Sequence, residues 1–423
     1  MTDPRSAGRL GHEVRVLEPD ELRAAHALFG AALHAAGPVD DERWAVTRTS
    51  YAPGRTLGVN LPPDTLAGTA TSFGSELVVP GGRRVPMAAV TRVGVRADRT
   101  RRGLLTALMR AQLREAADRG EVTATLRASE ARIYGRFGYG VASRGRTLRV
   151  DAGARFRTGT PAGGAVRLID PDEAATVLPP LYTRILGDTT RPGPIVRDAG
   201  WWALSLRRPR TDAARGIAVH TGPDGDDGFV TWTVRQEGTE FGENVLEIAD
   251  LHAATPQATS GLWRFLLGID LLRHVSAPLR PLDEPVDLLL EDPRACRTTG
   301  IDDETWLRLL DVPAALAART WGGTAGEPLR LRVHDAVFPA NDGVHVIGAG
   351  DRDGTNGPAP GAPGDGPADL ECDVAGLAMA YLGDRRPSEL VASGWWTASD
   401  RADVARADNL FATAEVPWCG TFF

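Results

Sequence analysis

The sequence predicts an α+β fold made of two tandem units with similar element order and a third, different unit. Its 423 residues exceed what one hydrophobic core usually serves. A run of strands leading into a long helix occurs twice, within residues 87–120 and 243–275, at comparable places in the two units. We therefore predict domains over residues 1–150, 151–297 and 298–423, the first two related by divergent duplication.

In the first unit, EVRVLE (13–18) alternates like a short strand, and DELRAAHALFGAALHAA (20–36) has the pattern of an amphipathic helix that opens with acidic residues. Strands joined by the turn GGRRVP follow over 65–95. The segment LLTALMRAQLREAADRG (104–120) predicts a helix with Gly120 as its C-cap. VTATLRA predicts a strand, EARIYGRF a short helix, and GVASRGRTLRV the last strand.

The second unit again begins with a strand and a helix, over 166–186, followed by meander strands and one helix predicted over 260–275. In the third unit we predict a helix over 306–320, a hairpin, and a Gly- and Pro-rich loop over 350–368. The chain stays apolar to its last residue, Phe423. Because termini are usually polar and frayed, this predicts an end that is tied into the structure.

Composition disfavours several classes of protein. All 48 basic residues are arginine, so no lysine can act as a Schiff base or general base. The net charge of −7 argues against a nucleic-acid partner. No apolar run has membrane-spanning length, and the N-terminus lacks the layout of a secretory signal. Three distant cysteines disfavour disulfides and a Cys-rich metal site, so we expect a cytoplasmic protein without a metal.

The strongest local signal is VGVRADRTRRGLLT, residues 93–106, in which a strand runs through an Arg-rich turn directly into a helix. A helix N-terminus offers backbone N–H groups and partial positive charge to a phosphate. Gly103 permits close approach, and Arg99, Arg101 and Arg102 add charge and bidentate donors. P-loop and dinucleotide motifs are absent, which leaves coenzyme A as the plausible pyrophosphate-bearing cofactor. The alternative is a solvated arginine turn that only caps the helix.

The second unit provides an internal comparison. Its corresponding junction, residues 248–263, contains no arginine and includes Asp250, whose charge would repel phosphate. We therefore expect only the first unit to hold the cofactor.

The segment ASEARIYGRFGYG (128–140), with V-G-V and R-R-G-L-L before it, resembles the GCN5-related N-acetyltransferases (GNAT). It looks most like the enhanced intracellular survival (Eis) family of bacterial aminoglycoside and amine acetyltransferases, which DVPAALAAR (311–319) also matches. Members have two GNAT-like units, the second without cofactor, and a C-terminal α/β domain like a sterol carrier protein. The resemblance implies transfer from acetyl-CoA to an amine of a small molecule, and a homohexamer.

The resemblance also implies roles for individual residues. Tyr134 matches the general acid of the family, and the α-carboxylate of Phe423 matches its general base. The residues implied to hold or border acetyl-CoA are Val93, Gly94, Val95, Arg101, Arg102, Gly103, Leu104, Leu105, Thr106, Ser129 and Glu130. Those implied to line the substrate pocket are Trp44, His34 and Phe422.

The chemistry fits a tyrosine at this position. A phenol with a pKa of about 10 can protonate a leaving thiolate of comparable basicity. The glycines of IYGRFGYG would let the cofactor pass closely, with Gly135 and Gly138 freeing the turn, whereas Tyr139 and Phe137 would be packing residues.

Departures from the family leave the substrate open. Thr100 stands where the wider superfamily expects Gln or Arg, and Phe422 and His34 stand where aminoglycoside-acetylating members carry acidic residues. A polycationic substrate prefers carboxylates, so these positions argue against aminoglycosides. Two further interpretations stay open: a lipid- or partner-binding protein with a decayed transferase site, and a biosynthetic or self-resistance acyltransferase with another acyl donor or acceptor.

Overall fold

The computed structural model describes residues 12–35, 37, 39–62, 65–207, 214–237, 243–323, 328–348, 364 and 366–423. Most of the segment predicted as a loop over 350–368 lies outside these residues.

A mixed sheet of twelve strands dominates the described part of the chain. Its strands are β1 (Arg15–Val16), β2 (Thr56–Leu61), β3 (Thr65–Val78), β4 (Arg84–Val95), β5 (Thr123–Leu126), β6 (Gly140–Asp151), β7 (Ala165–Leu168), β8 (Ala214–Gly222), β9 (Gly225–Gln236), β10 (Asn244–Ala253), β11 (Leu272–Pro281) and β12 (Cys296–Leu309). Their spatial order is β1-β2-β3-β4-β5-β12-β6-β11-β10-β9-β8-β7.

A second sheet belongs to the C-terminal part. Its strands are β13 (Leu329–His334), β14 (Gly343–Ile347), β15 (Leu370–Asp373) and β16 (Trp396–Ala398), in the order β14-β13-β15-β16. The described helices are α1 (Leu22–Ala32), α2 (Asp41–Thr47), α3 (Leu104–Asp118), α4 (Ala131–Tyr134), α5 (Pro171–Asp188), α6 (Ala199–Leu206), α7 (Pro256–Leu267), α8 (Val286–Leu289), α9 (Val312–Ala318), α10 (Val374–Tyr381), α11 (Pro387–Ala392) and α12 (Arg401–Phe411).

The two N-terminal units exchange strands at the centre of the large sheet. β12 pairs with both β5 and β6, and β6 pairs in turn with β11 of the second unit. The boundary predicted at 297 therefore falls at the second residue of β12, a strand that fills the sheet beside β5.

Each unit contains two parallel strands that pair and then separate. β4 and β5 pair only at Met87–Ala89 with Thr123–Thr125, and the gap beyond is called the first fork. β10 and β11 pair at Asn244–Glu247 with Leu272–Ser276, and the gap beyond is called the second fork. Just past the first pairing, β4 bulges at Arg92, which has a φ of 50°. Bulges of this kind redirect a strand next to a site.

Two predicted helices were wrong in part. The helix predicted over 260–275 ends at Leu267, and β11 begins at Leu272. Of the helix predicted over 306–320, the first residues belong to β12, and only Val312–Ala318 is helical. The last six residues of β12, Glu304–Leu309, are all buried, so both faces of this strand end are covered. Periodicity alone does not separate such a strand from a buried helix.

The C-terminal domain packs directly on the first unit. Phe73, Leu77 and Met87 share one buried core with Leu331 and Tyr381. This packing brings the end of the chain next to β3 and β4, where Phe423 joins the edge of the same core.

Candidate active site

The Arg-rich turn before α3 has the geometry of an anion site. Arg101 and Gly103 both have left-handed backbones, with φ of 60° and 83°, and α3 starts at the next residue, Leu104. Within the described ranges, no side chain caps this helix and no acidic residue lies in its first turn. The N–H groups of Leu104–Thr106 therefore keep their affinity for an anion.

The arginines of this turn differ in their partners. Arg96 forms an ion pair with Asp98 at 3.0 Å, and Arg99 approaches the same carboxylate at 3.7 Å. Arg101 and Arg102 are exposed, and neither has an ion pair with another described residue. Their guanidinium groups fit the charge of a pyrophosphate.

In the second unit, the N-terminus of the corresponding helix, α7, is capped by a side chain. Thr255 caps α7 by accepting a hydrogen bond from the N–H of Ala258 at 3.0 Å. The hydroxyl of Thr255 donates to the carboxylate of Asp227 at 2.8 Å. A capped helix end beside a carboxylate does not suit a phosphate.

Tyr134 lies at the C-terminal end of α4, with 5% of its surface exposed. It packs in one cluster with Val93 and Leu105, two residues implied to bind the cofactor. Burial raises the pKa of the Tyr134 phenol, and a hydrogen bond with Ser129 lowers it by less. Tyr134 is therefore a neutral hydroxyl at neutral pH.

Glu130 and Tyr139 have structural roles near this phenol. Glu130 is exposed and caps α4, with its carboxylate accepting from the N–H of Arg132 at 3.3 Å. The rings of Tyr134 and Tyr139 meet edge to face at 6.0 Å. Tyr139 is buried, and its hydroxyl has no hydrogen-bond partner among the described residues. Burial raises the pKa of Tyr139 far above its usual range, as suits a packing residue.

The glycines of this segment serve the turn and the C-terminal domain. Gly138 has a φ of 84°, as the turn requires. A side chain at Gly140 would collide with the carbonyl oxygen of Ala375 in α10, whereas Gly135 faces open space. The approach of α10 is a separate reason for a small residue at Gly140, and the prediction that these glycines open a path for the cofactor stays a prediction.

The end of the chain is fixed beside β4. Trp201 donates its indole N–H to the carbonyl oxygen of Phe422 at 2.7 Å. The ring of Phe423 meets that of Phe73 edge to face at 5.6 Å. The predicted anchoring of the terminus is thus confirmed.

A cavity of about 280 Å³ opens next to Phe423. Aromatic rings of Phe73, Trp201 and Phe422 form much of its wall. Its charged lining residues are Arg92 and Asp198, together with Phe423 as the carrier of the terminal carboxylate. The Asp198 side chain caps α6 through the N–H of Trp201 at 2.6 Å.

Behind Arg92 lies a cluster of aromatic rings, which are tilted or edge-on to one another. The Arg92 guanidinium lies 4.5 Å from the ring centre of Tyr51, which contacts Trp44 at 5.8 Å. The hydroxyl of Tyr51 is 3.0 Å from Nδ1 of His26. Burial raises the pKa of Tyr51 to about 12, and burial with the nearby charges of Arg92 and Arg43 lowers the pKa of His26 to about 4. Both groups are therefore neutral at pH 7.

The structure does not bring all three predicted pocket residues to the cavity. Phe422 lines it and is 72% exposed, and Trp44 lies one ring behind Arg92. His34 is exposed just after α1 and does not line it. Asp198 and Trp201 were missed, although D-A-G-W-W carries a helix-cap signal, because nothing in the sequence shows that α6 faces the first unit.

The described residues contain neither a cluster of metal ligands nor a helix that could span a membrane. No group of three or more His, Cys, Asp or Glu among them is arranged to hold a metal ion. Within the same residues, every helix is too short or too polar to cross a membrane.

Models of known domain families match three successive parts of the chain. Residues 13–142 and 193–309 each match an acetyltransferase (GNAT) domain, and residues 312–420 match a sterol carrier protein domain. The prediction of two GNAT units and a sterol-carrier-like C-terminal domain is confirmed.

Whole-chain relatives agree with this order. N-acetyltransferase Eis of Mycobacterium tuberculosis is 34% identical, covering 84% of this chain and 85% of its own. An uncharacterized N-acetyltransferase of Streptomyces coelicolor is 34% identical over 96% of this chain and 98% of its own. The crystal structure of Eis1 from Mycobacterium abscessus, also 34% identical, covers 97% of this chain and 100% of its own with a TM-score of 0.82. The chain is therefore an acyltransferase that belongs to the Eis family of GCN5-related N-acetyltransferases.

Proposed function

We propose that the protein transfers an acetyl group from acetyl-CoA directly to an amine of a small molecule, with Tyr134 as general acid and the α-carboxylate of Phe423 as general base. One observation carries this proposal. Tyr134 packs with Val90 and Val93 of β4, and the cavity at Phe423 is lined by the residues between them, Thr91 and Arg92. Tyr134, the proposed acid, and Phe423, which carries the proposed base, therefore lie beside the same stretch of β4, residues 90–93, which borders the first fork.

Several residues are suited to hold the cofactor. The exposed guanidinium groups of Arg101 and Arg102 and the uncapped N–H groups of Leu104–Thr106 would bind the pyrophosphate. The backbone of Val93, Gly94 and Val95 runs along the first fork, beyond its last pair with β5. Bound acetyl-CoA supplies the thioester and its thiolate leaving group.

The proton chemistry follows from the two groups. An α-carboxylate with a pKa of about 3.3–3.7 is ionised at neutral pH, so it can accept a proton from the ammonium, directly or through water. Tyr134 keeps its proton because burial raises its pKa. Its hydroxyl can then donate a proton to the leaving thiolate of coenzyme A.

The cavity favours a particular kind of amine. Asp198 and the terminal carboxylate of Phe423 together exceed the one positive charge of Arg92, which suits a single ammonium group. Aromatic walls suit an apolar body and stabilise a cation over their faces. We therefore propose a small amphipathic monoamine as acceptor, in preference to a polycation such as an aminoglycoside.

A transfer assay tests the proposal. Release of free thiol from acetyl-CoA should be faster with phenethylamine or tryptamine than with spermidine or an aminoglycoside, and mass spectrometry should show the N-acetyl product. Faster turnover with longer acyl-CoA would favour another donor, and no release with any amine would favour a decayed site.

Two residues added after Phe423 displace the carboxylate, so this extended-tail variant should lose turnover but keep its affinity for coenzyme A. Unchanged kcat in that variant would contradict the assigned base.

We also propose, on the family resemblance alone, that the protein is a cytoplasmic homohexamer. Light scattering should give about six times the chain mass of 45.0 kDa. A monomer over a wide concentration range would contradict this.

A further inference from the structure

We infer that the second fork, together with Glu304 of β12 and the arginines Arg127 and Arg197, binds the chain's own C-terminal tail, residues 418–423, and so positions the terminal carboxylate in the first unit. The inference rests on the proposed function, in which that carboxylate is the base. It gives the second unit a role other than cofactor binding.

The tail enters the second fork at Trp418. The indole N–H of Trp418 donates to the carbonyl oxygen of Leu279 in β11 at 2.7 Å. Its ring lies 4.6 Å from the guanidinium carbon of Arg280 in β11 and 5.0 Å from the ring of His252 in β10. Trp418 therefore bridges the two strands beyond their last parallel pair, Glu247 with Ser276.

Glu304 binds the N–H side of the tail. Its carboxylate accepts hydrogen bonds from the backbone N–H groups of Cys419 and Gly420, both at 2.9 Å. The Glu304 side chain is fully buried, and it also accepts from the hydroxyl of Ser143 at 2.8 Å. Arg127 balances its charge at 3.2 Å. A buried carboxylate needs this many partners, and two of them are tail peptide groups.

Two arginines bind the carbonyl side of the tail. Arg127 donates to the carbonyl oxygen of Thr421 at 2.9 Å, and Arg197 donates to that of Gly420 at 2.9 Å. Arg197 also donates to the hydroxyl oxygen of Thr421 at 3.0 Å. Arg197 is itself held by the carboxylate of Asp250 at 2.6 Å. Asp250, the residue whose charge is wrong for a phosphate, thus supports the arginine that binds the tail.

These contacts leave little freedom at the end of the chain. A segment without strand partners must satisfy its buried peptide groups by other means, and Glu304, Arg127 and Arg197 do so for residues 419–421. Trp201 holds the next carbonyl, that of Phe422. Only the terminal residue follows, and its ring rests on Phe73. A base fixed in this way reacts without first losing conformational freedom.

The test compares Glu304→Gln with Glu247→Gln in the full-length protein. Glu247 lines the cavity beside the tail, is about half exposed, and forms no hydrogen bond to the tail among the described residues, so it is the matched control. An amide at 304 has one acceptor oxygen instead of two, so at least one tail N–H loses its partner. We expect Glu304→Gln to lower kcat by roughly 10- to 100-fold with the KM for acetyl-CoA unchanged. Glu247→Gln should keep the kcat of the wild type.

Combining Glu304→Gln with the extended tail distinguishes a positioning role of Glu304 from a general structural role. In the extended-tail variant, where the carboxylate is already displaced, Glu304→Gln should lower kcat no further. A merely structural Glu304 would lower it by the same factor in both backgrounds. Loss of activity on tail extension with wild-type kcat in Glu304→Gln would overturn this inference and leave the proposed base intact. Full activity in both variants would overturn both.

Carboxypeptidase digestion tests anchoring without an activity readout. Mass spectrometry should show that the wild type and Glu247→Gln release Phe423 slowly, whereas Glu304→Gln releases it at least about tenfold faster, because digestion follows local release of the tail. If Glu304→Gln does not fold, Arg127→Gln removes the donor to Thr421 and is scored in the same two assays. Equal digestion rates in the wild type and the folded variant would contradict a tail-binding site.

Discussion

The side chain of Thr255 accepts a hydrogen bond from the backbone N–H of Ala258 at 3.0 Å and so caps α7. In the first unit, no described side chain caps α3, which starts after Gly103. The two helices occupy the same place in units that both match a GNAT domain. The start of α3 can attract a phosphate, whereas at the start of α7 the N–H of Ala258 is already bonded to Thr255.

We predict one coenzyme A site per chain. Replacing Arg101 and Arg102 with alanine should weaken binding by roughly 10- to 100-fold, since charge-assisted hydrogen bonds contribute about 1.5–3 kcal/mol and these side chains are exposed. Isothermal calorimetry gives both the stoichiometry and the affinity. The effect should shrink at high salt.

The control is Arg110→Ala with Arg114→Ala, which removes the same charge from exposed positions further along α3. That variant should bind like the wild type. Two sites per chain, or equal losses in the two double variants, would contradict the assignment.

Tyr134→Phe should lower kcat by a factor on the order of 10²–10⁴ and leave the affinity for coenzyme A unchanged, because only the donated proton is removed. Tyr139→Phe removes a hydroxyl that has no hydrogen-bond partner among the described residues. It should keep kcat within about twofold of the wild type and is the matched control. Steady-state thiol release measures both variants, and equal kcat values for the two would remove Tyr134 from the mechanism.

The pH profile should reflect the environment of Tyr134. Burial raises its pKa, so the phenol keeps its proton at pH values where an exposed tyrosine starts to ionise. We therefore expect no descending limb in kcat below a pH of about 10, the usual pKa of tyrosine. A limb between pH 8 and 9 that disappears in Tyr134→Phe would show that the phenol ionises early.

Much of the fold could be predicted from local patterns. The two-unit order, the Arg-rich turn before α3 and the short helix that carries Tyr134 follow from periodicity, from glycine positions and from helix-end chemistry. The exchange of strands through β12 could not, because pairing between strands far apart in sequence leaves no local signal. The end of β12 was predicted as a helix because periodicity alone does not separate a buried strand from a buried helix.

The acceptor cavity, like the fold, could be predicted from the sequence only in part. The sequence indicated an anchored terminus at Phe423, and the structure shows its anchors. Asp198 and Trp201 reach the cavity only because α6 of the second unit contacts the first unit. Nothing in the sequence marks Glu304 as a tail-binding residue, because its contact with the backbone of Cys419 forms only in the folded chain.

Asp198→Asn tests the choice of amine. Asparagine caps a helix as well as aspartate, so the substitution removes charge from the cavity with little effect on α6. We predict that KM for a cationic amine rises about tenfold, equivalent to about 1.4 kcal/mol, with kcat nearly unchanged.

The matched control for Asp198→Asn is Asp400→Asn, which makes the same change at the cap of α12. Its KM should equal that of the wild type. A KM for the amine that is the same in both variants would show that Asp198 does not face the ammonium.

Gly140 and Gly135 belong to the same motif but should respond oppositely to alanine. A Cβ at Gly140 would overlap the carbonyl oxygen of Ala375 in α10 and lie 3.0 Å from Met379. Because backbone cannot move as freely as a flexible side chain, Gly140→Ala should destabilise the protein by about 1–3 kcal/mol. Gly135 has a φ of −55° and open space around it, so Gly135→Ala should be neutral or stabilise by about 0.4–1 kcal/mol.

Thermal unfolding of the two variants measures the difference, and binding of coenzyme A indicates its cause. If Gly140 is small only because α10 approaches it, then Gly140→Ala should lower Tm while the affinity for coenzyme A at low temperature stays that of the wild type. Loss of affinity without a change in Tm would mean instead that this glycine serves the cofactor, as the sequence suggested. Equal Tm values for the two variants would show that α10 can shift away from β6 at little cost.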